Sequence, residues 1–152
     1  PNAEIKPYKI SSKSLESEDP EGIITEFPIL TTKFLGKKIP AGGGFYVRTL
    51  PEKIVMNAIK DYEKNNMPAT FYIQSWELTP EYMPRIKLSV KDNFITYHNI
   101  EKTMSKMTKI LEKFDFTSFN RYNPSETLDE YLLKKGGRRI KKKYTKKNLK
   151  IL

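Results

Sequence analysis

The sequence predicts an α/β fold, because segments with the residue pattern of strands alternate along the chain with segments that have the pattern of amphipathic helices. Strand patterns lie at residues 23–29 and 69–73, and helical patterns at residues 51–62 and 100–114. Hydrophobic residues make up 38% of the 152 residues and aromatic residues 12%, as is typical of a chain that buries a core. We therefore expect one domain over residues 23–133, preceded by an N-terminal polar loop over residues 1–22.

The first strand and the first helix are separated by a basic loop and three glycines. Alternate side chains of residues 23–29 are apolar or β-branched, which predicts a strand with Pro28 near its end or on a sheet edge, and with Glu26 on the face opposite Phe27. Residues 42–44 are all glycine, which permits backbone conformations closed to other residues. The Gly-x-x-x-x-Gly-Lys-Ser/Thr pattern of a phosphate cradle is absent, so a turn with close backbone packing is favoured. Pro51 suits the first turn of the helix that follows.

The second strand pattern, residues 69–73, is short, apolar and rich in β-formers, as expected of a buried strand. Four residues that can bind ligands or pack follow it at once: Gln74, Ser75, Trp76 and Glu77. Because α/β folds place ligands at the carboxyl ends of strands, we expect a site here. A loop punctuated by prolines is predicted from there to about residue 99.

The last part of the chain predicts helices and a charged tail. Apolar residues recur at helical spacing from residue 100 to residue 114, with Met104 and Met107 expected in the core. Residues 116–119 have the pattern of a short strand, and residues 123–126 that of the start of a last helix. Residues 134–152 hold ten of the 28 basic residues and no Asp or Glu, which leaves the other residues formally neutral. We interpret this tail as a solvated, disordered terminus; the alternative is weak contact of residues 134–150 with an anionic membrane, nucleic acid or acidic polysaccharide.

Composition excludes several classes of site. Without cysteine the chain has no disulfide, no thiolate metal site and no cysteine nucleophile. Its single imidazole, His98, is interpreted as a surface or capping residue. No run of 18 apolar residues and no signal peptide pattern is present, so we expect a cytoplasmic or membrane-peripheral location.

Two segments resemble a known family. Residues 39–51 read Ile-Pro-Ala-Gly-Gly-Gly-Phe-Tyr-Val-Arg-Thr-Leu-Pro, and residues 71–78 read Phe-Tyr-Ile-Gln-Ser-Trp-Glu-Leu. They are similar, in sequence and in separation, to the Pro-x-Gly-Gly-Gly-Tyr-Phe-Arg-Leu-Leu-Pro and Phe-Tyr-Leu-His-Pro-Trp-Glu motifs of polysaccharide deacetylases of the NodB-homology type, encoded in exopolysaccharide loci. The resemblance extends from about residue 23 to residue 119.

This resemblance implies the C-terminal part of a distorted (β/α) barrel, incomplete on its own. The family enzyme is a metal-dependent hydrolase of non-peptide C–N bonds, which removes acetyl groups from N-acetylated sugars of a polysaccharide. A zinc-like divalent metal, held by an Asp-His-His set, would polarise the amide carbonyl. Those ligands belong to an N-terminal half, and with one histidine this chain cannot supply them, so we assign it no metal ligand and no cofactor. An N-terminal half or a partner chain is therefore expected.

The same resemblance supplies the candidate site residues. Gln74 stands where the family has a catalytic histidine, and Glu77 matches the family's glutamate, so these two are the candidate catalytic positions. The alternative for Gln74 is a strand-end residue with no catalytic role, and the alternative for Glu77 is structural bonding to a nearby backbone amide. Glutamine has no proton to transfer near neutral pH, although its NH2 can donate a hydrogen bond. Trp76 is a candidate substrate-binding residue because its indole can stack on a sugar ring; the alternative is a role in the core. Arg48 is a candidate because its planar guanidinium can donate hydrogen bonds to a sugar; the alternative is an internal ion pair with Glu26 or Glu77.

Glu26 and Gly43 complete the candidate substrate-binding set. The leading hypothesis is a polysaccharide deacetylase-like protein that is inactive as this chain alone. The alternative is a non-catalytic glycan-binding or scaffold domain.

Overall fold

The computed structural model describes residues 5–11, 13, 18–119 and 122. They form short strands and helices, and two turns of 3₁₀ helix at Pro80–Tyr82 and Ile100–Lys102. The strands are β1 (Tyr8–Lys9), β2 (Thr25–Glu26), β3 (Thr32–Phe34) and β4 (Lys37–Ile39). The helices are α1 (Gly44–Thr49), α2 (Glu52–Lys64), α3 (Ser75–Leu78), α4 (Val90–Tyr97) and α5 (Thr103–Lys113). The fold is thus a mixture of helix and strand with two small sheets.

Both sheets are antiparallel pairs. Strand β1 pairs with β2, and β3 pairs with β4 in a hairpin whose two turn residues are Leu35 and Gly36. Both turn residues have positive φ, 48° and 77°, which matches the twist of a two-residue hairpin turn. Part of the segment predicted as a basic loop is therefore strand. The sequence signal was weak because leucine, unlike asparagine or glycine, is rarely found at such a φ.

The two predicted strands are only partly formed. Of residues 23–29, Thr25–Glu26 alone is a strand, and residues 69–73 are extended backbone held by isolated parallel bridges. Leu30 N donates to Thr70 O at 2.9 Å, and Tyr72 N donates to Gly42 O at 3.0 Å. Residues 69–73 therefore connect residues 29–30 to the glycine segment. They were predicted to be buried, but Tyr72 is 65% exposed and the other four residues are only partly buried.

The core lies between α2, α5 and the buried Leu30. The helix predicted at residues 51–62 is confirmed as α2, whose Val55 and Ile59 belong to the same buried cluster as Ile110 of α5. Each such side chain, fully buried, contributes roughly 1.5–3 kcal/mol. The cluster thus includes side chains of the two longest helices and Ala41, which directly precedes the glycines.

The second predicted helix is confirmed, with one correction to its buried face. Met107 packs against the core, whereas Met104 and Leu111 are about half exposed, so the placement of Met104 in the core was wrong. The helical turn directs Thr103, Met107 and Ile110 inward, and Met104 lies on the flank of that stripe.

Helix α4 was not predicted, and the predicted strand at residues 116–119 is not formed. The missed signal for α4 is Ser89, whose Oγ accepts a hydrogen bond from Asp92 N at 3.1 Å, as in the Ser-x-x-Asp start of many helices. Phe116 and Phe119 instead contact Phe71 and Phe27 as rings. The helix predicted after residue 123 and the basic tail lie outside the described residues. Among the described residues, no helix has the length and apolar character needed to cross a membrane.

Candidate functional site

The candidate site is built around the start of α3, immediately after the extended residues 69–73. Gln74 N donates to Glu77 Oε2 at 3.0 Å, and Glu77 N donates to Gln74 O at 2.9 Å. A glutamate at the third helical position commonly accepts this bond and satisfies an amide that the helix leaves without a partner. The bond holds the main chain of Gln74 while its side chain stays exposed.

The carboxylate of Glu77 is buried and paired with a buried arginine. Arg48 Nη1 donates to Glu77 Oε1, and the two residues are only 1% and 4% exposed. Removal of two charges from water is costly. A buried ion pair is therefore stable only when the two charges lie close together and further hydrogen bonds satisfy their remaining donors and acceptors. Of the two ion pairs considered for Arg48, the one with Glu77 is formed. Glu26 instead accepts a hydrogen bond from Tyr8 at 2.7 Å.

The other donors of Arg48 bind the C-terminal end of α4. Arg48 Nε donates to His98 O at 2.9 Å, and Nη2 donates to Ile95 O and to Thr96 O. These carbonyls lie where a helix leaves its last acceptors unsatisfied and where a cation is favourable. Burial lowers the pKa of Arg48, but a guanidinium keeps its proton in proteins. One buried side chain therefore joins α1, α3 and α4.

Close packing explains two of the three consecutive glycines. A Cβ on Gly44 would overlap the carboxylate of Glu77, and one on Gly42 would overlap the carbonyl of Thr70. Gly43 has room, since the nearest atom to an added Cβ would be Pro40 O at 3.4 Å. The predicted turn with close backbone packing is thus confirmed.

The outer surface of the site consists of an amide and an indole. Trp76 is half-buried, and its Nε1 donates to Gln74 Oε1 at 3.3 Å. No contact among the described residues occupies the NH2 of Gln74, so this group faces solvent as a donor. We call this surface, formed by Gln74 and Trp76, the Gln74 edge.

Lys106 is a further residue of the site region that sequence reasoning missed. Its ammonium donates to the carbonyls of Val47, Arg48 and Leu50 at 2.7–3.0 Å, at the C-terminal end of α1. Burial lowers its pKa, and Lys102 adds to this effect. The partners lie 56 to 59 residues away, so no local pattern signals the contact.

A shallow depression of about 380 Å³ lies on the outer face of α4. His98 stacks on the ring of Phe94, with centroids 4.4 Å apart, and occupies the C-cap of α4. This position agrees with its interpretation as a surface or capping residue. We call this feature the α4 depression; its lining is Val90, Asn93, Phe94, Tyr97 and His98.

The arrangement favours binding over proton transfer. Gln74 has no proton to transfer near neutral pH, and the carboxylate of Glu77 is turned inward to Arg48 and a main-chain amide. Within the residues that the structure describes, no three His, Asp or Glu side chains lie close enough together to hold a metal ion. The residues present therefore do not fit an Asp-His-His site, and no chemical step is assigned to a metal in this chain.

Comparison with known proteins yields one family. A family model described as Domain of unknown function (DUF3473) matches residues 1–123, which include both motif segments and the whole Arg48–Glu77 network. No match was found among curated proteins or among solved structures.

Proposed function

The chain belongs to the family described as Domain of unknown function (DUF3473), and on that premise we propose that it is the C-terminal part of a polysaccharide deacetylase-like enzyme. In this proposal the described residues belong to an incomplete (β/α) barrel, and the Gln74 edge faces an N-acetylated sugar. The proposal rests on the resemblance of residues 39–51 and 71–78 to the deacetylase motifs, because the family description itself states no function.

One observation carries the proposal: the two motif segments, distant in sequence, form a single structural unit. Gly44 N donates to Tyr72 O at 3.1 Å, and Arg48 of the first segment pairs with Glu77 of the second. Two unrelated short matches would have no reason to meet in this way. Their junction supports a shared role at the end of residues 69–73, where the Gln74 edge lies.

Within the complete enzyme, this chain would bind and orient sugar. The NH2 of Gln74 suits a hydrogen bond to a sugar hydroxyl or to an acetamido oxygen, and the indole of Trp76 suits the apolar face of a sugar ring. Arg48 and Glu77 would hold this edge without touching substrate. The N-terminal half or a partner chain would supply the zinc-like metal, its ligands and the groups that transfer protons.

A second candidate function is a non-catalytic glycan-binding or scaffold domain. This function is favoured because Gln74 stands where the deacetylase motif has its catalytic histidine. The coding sequence upstream distinguishes the two: a Thr-Phe-Asp-Asp-like strand end and a His-x-x-x-His segment favour the enzyme. Contact of residues 134–150 with anionic membranes or nucleic acid stays a prediction, tested by salt-sensitive binding before and after deletion of residues 134–152.

Trp76 is the only tryptophan, so its fluorescence reports on this edge alone. We expect chito-oligosaccharides to change the emission of Trp76, and Gln74→Ala to weaken that binding. The matched control is Tyr82→Ala, which removes an aromatic ring that is 83% exposed on a neighbouring segment. Unchanged emission at millimolar ligand, or equal affinity of the Gln74→Ala protein, would count against the proposal.

A further inference from the structure

The β3–β4 hairpin exposes an apolar side chain at its turn. Leu35 is 86% exposed, whereas Phe34 beside it packs against the core. Leu35 also has a φ of 48°, in the left-handed region, where the backbone crowds the Cβ of leucine. The other described non-glycine residues with positive φ are both asparagines, Asn66 and Asn99, a residue type that adopts it more readily. Leucine in this turn therefore strains the backbone while its side chain stays in water.

Three lysines flank this leucine in the two strands. Lys33, Lys37 and Lys38 are exposed, and residues 31–39 contain no Asp or Glu. Lys33 lies directly opposite Lys38 in the strand register, where side chains are about 5 Å apart and like charges destabilise a sheet. Within the described part of the chain, none of the three ammonium groups forms an ion pair. The hairpin thus carries positive charges that the fold does not neutralise.

An apolar tip between cations fits a lipid surface better than other anionic partners. Nucleic acid bases stack on aromatic side chains, and the only aromatic residue of the hairpin, Phe34, packs against the core. An acidic polysaccharide would bind the lysines but leave Leu35 in water. At an anionic bilayer, lysines contact the headgroups while an apolar side chain enters the boundary of the acyl chains. Both features that are unfavourable in the free hairpin become favourable there.

We propose that the β3–β4 hairpin is a membrane-contact element, which inserts Leu35 into an anionic lipid surface with its three lysines at the headgroups. This inference goes beyond the proposed sugar site and involves no residue of the Gln74 edge. It also differs from contact through residues 134–150, because it requires an apolar tip. One leucine and three lysines give weak, reversible binding, so the hairpin orients the chain at the surface.

Flotation of the full chain with vesicles tests this contact. The vesicles consist of phosphatidylcholine alone or mixed with phosphatidylglycerol, and we expect binding to the mixed vesicles. Leu35→Asn suits the turn, because asparagine tolerates positive φ, and it should lower this binding by about tenfold. The double variant Lys33→Gln with Lys38→Gln should lower it by about tenfold or more.

The matched controls lie outside the hairpin. Ile23→Asn removes an apolar side chain that is 98% exposed, and Lys53→Gln with Lys60→Gln removes two exposed charges of α2. Both should leave vesicle binding nearly unchanged. The proposal is overturned if the full chain does not bind the mixed vesicles, or if the control variants lose as much binding as the hairpin variants. It is likewise overturned if Leu35→Asn binds normally while the hairpin lysine variant loses affinity for heparin and vesicles alike, since this would identify a general polyanion surface.

Discussion

The guanidinium of Arg48 and the carboxylate of Glu77, 29 residues apart in the chain, form an ion pair inside the fold. Each partner also makes a second contact, since Arg48 caps the C-terminal end of α4 and Glu77 holds the main chain of Gln74. The pair thereby connects the α4 depression with the Gln74 edge. Because both residues are buried, they act at the protein surface only through the segments that they position.

The Arg48–Glu77 pair should dominate the electrostatic contribution to stability. Glu77→Gln leaves a buried cation without its counter-charge, which we expect to lower the free energy of unfolding by about 3–5 kcal/mol. Lys109→Gln breaks the exposed pair with Glu52 and should cost less than about 1 kcal/mol. Urea denaturation followed by circular dichroism measures both. Equal losses of unfolding free energy in the two variants would show that the buried pair stabilises the fold no more than the exposed pair does.

Gly44 and Gly43 should respond differently to the same substitution. Gly44→Ala places a methyl group on the carboxylate of Glu77, and we expect a loss of about 1–3 kcal/mol in the free energy of unfolding. Gly43→Ala has room and should be neutral or stabilise by up to about 1 kcal/mol. In a Glu77→Ala background the cost of Gly44→Ala should nearly vanish, because the overlapping group is gone. If Gly44→Ala still lowers the free energy of unfolding in that background, the loss comes from the backbone conformation and not from overlap with Glu77.

Stability near Glu63 should depend on pH. Burial raises the pKa of this carboxyl above its ordinary value near 4.5, and the charge of Asp115 adds to the effect while Lys60 opposes it. The folded state thus prefers the protonated carboxyl. Its contribution to stability is fully present below the pKa of Glu63 in the unfolded chain and is lost as pH rises through the pKa of Glu63 in the folded protein. Glu63→Gln stays neutral, so its free energy of unfolding should match the unchanged protein at about pH 4 and exceed it by a few tenths of a kcal/mol at about pH 7. In an Asp115→Asn background the difference should shrink. A difference that is constant with pH would contradict this assignment.

Histidine at position 74 should not by itself create an enzyme. Neither this chain nor its Gln74→His variant is expected to release acetate from N-acetylated oligosaccharides, with or without added zinc, because a chain with one native histidine cannot supply the Asp-His-His set of the family enzyme. A coupled assay for acetate measures this directly. Zinc-dependent turnover by the purified chain would sink the assignment of the metal ligands to another segment.

The sequence by itself determined the helices with strong periodicity. The apolar spacing of residues 54–62 and 100–114 depends on neighbours three and four positions apart, and both helices formed where they were expected. The family resemblance predicts a candidate site of Arg48, Gln74, Trp76 and Glu77 together with Glu26 and Gly43. Contacts join the first four, whereas Glu26 bonds to Tyr8. The missed α4 carried a local signal as well, the Ser89 cap.

Only the tertiary structure decided which of these residues face inward and what they contact. No local pattern shows that Arg48 pairs with Glu77 rather than with Glu26. Nor does one show that position 44 has no room for a Cβ because the carboxylate of Glu77 lies against it. The contact of Lys106 with α1 and the exposure of Met104 likewise depend on how distant segments pack together. Local preferences depend on neighbours in the chain, whereas burial and ion pairing depend on which distant segments pack together, and that packing is a property of the whole fold.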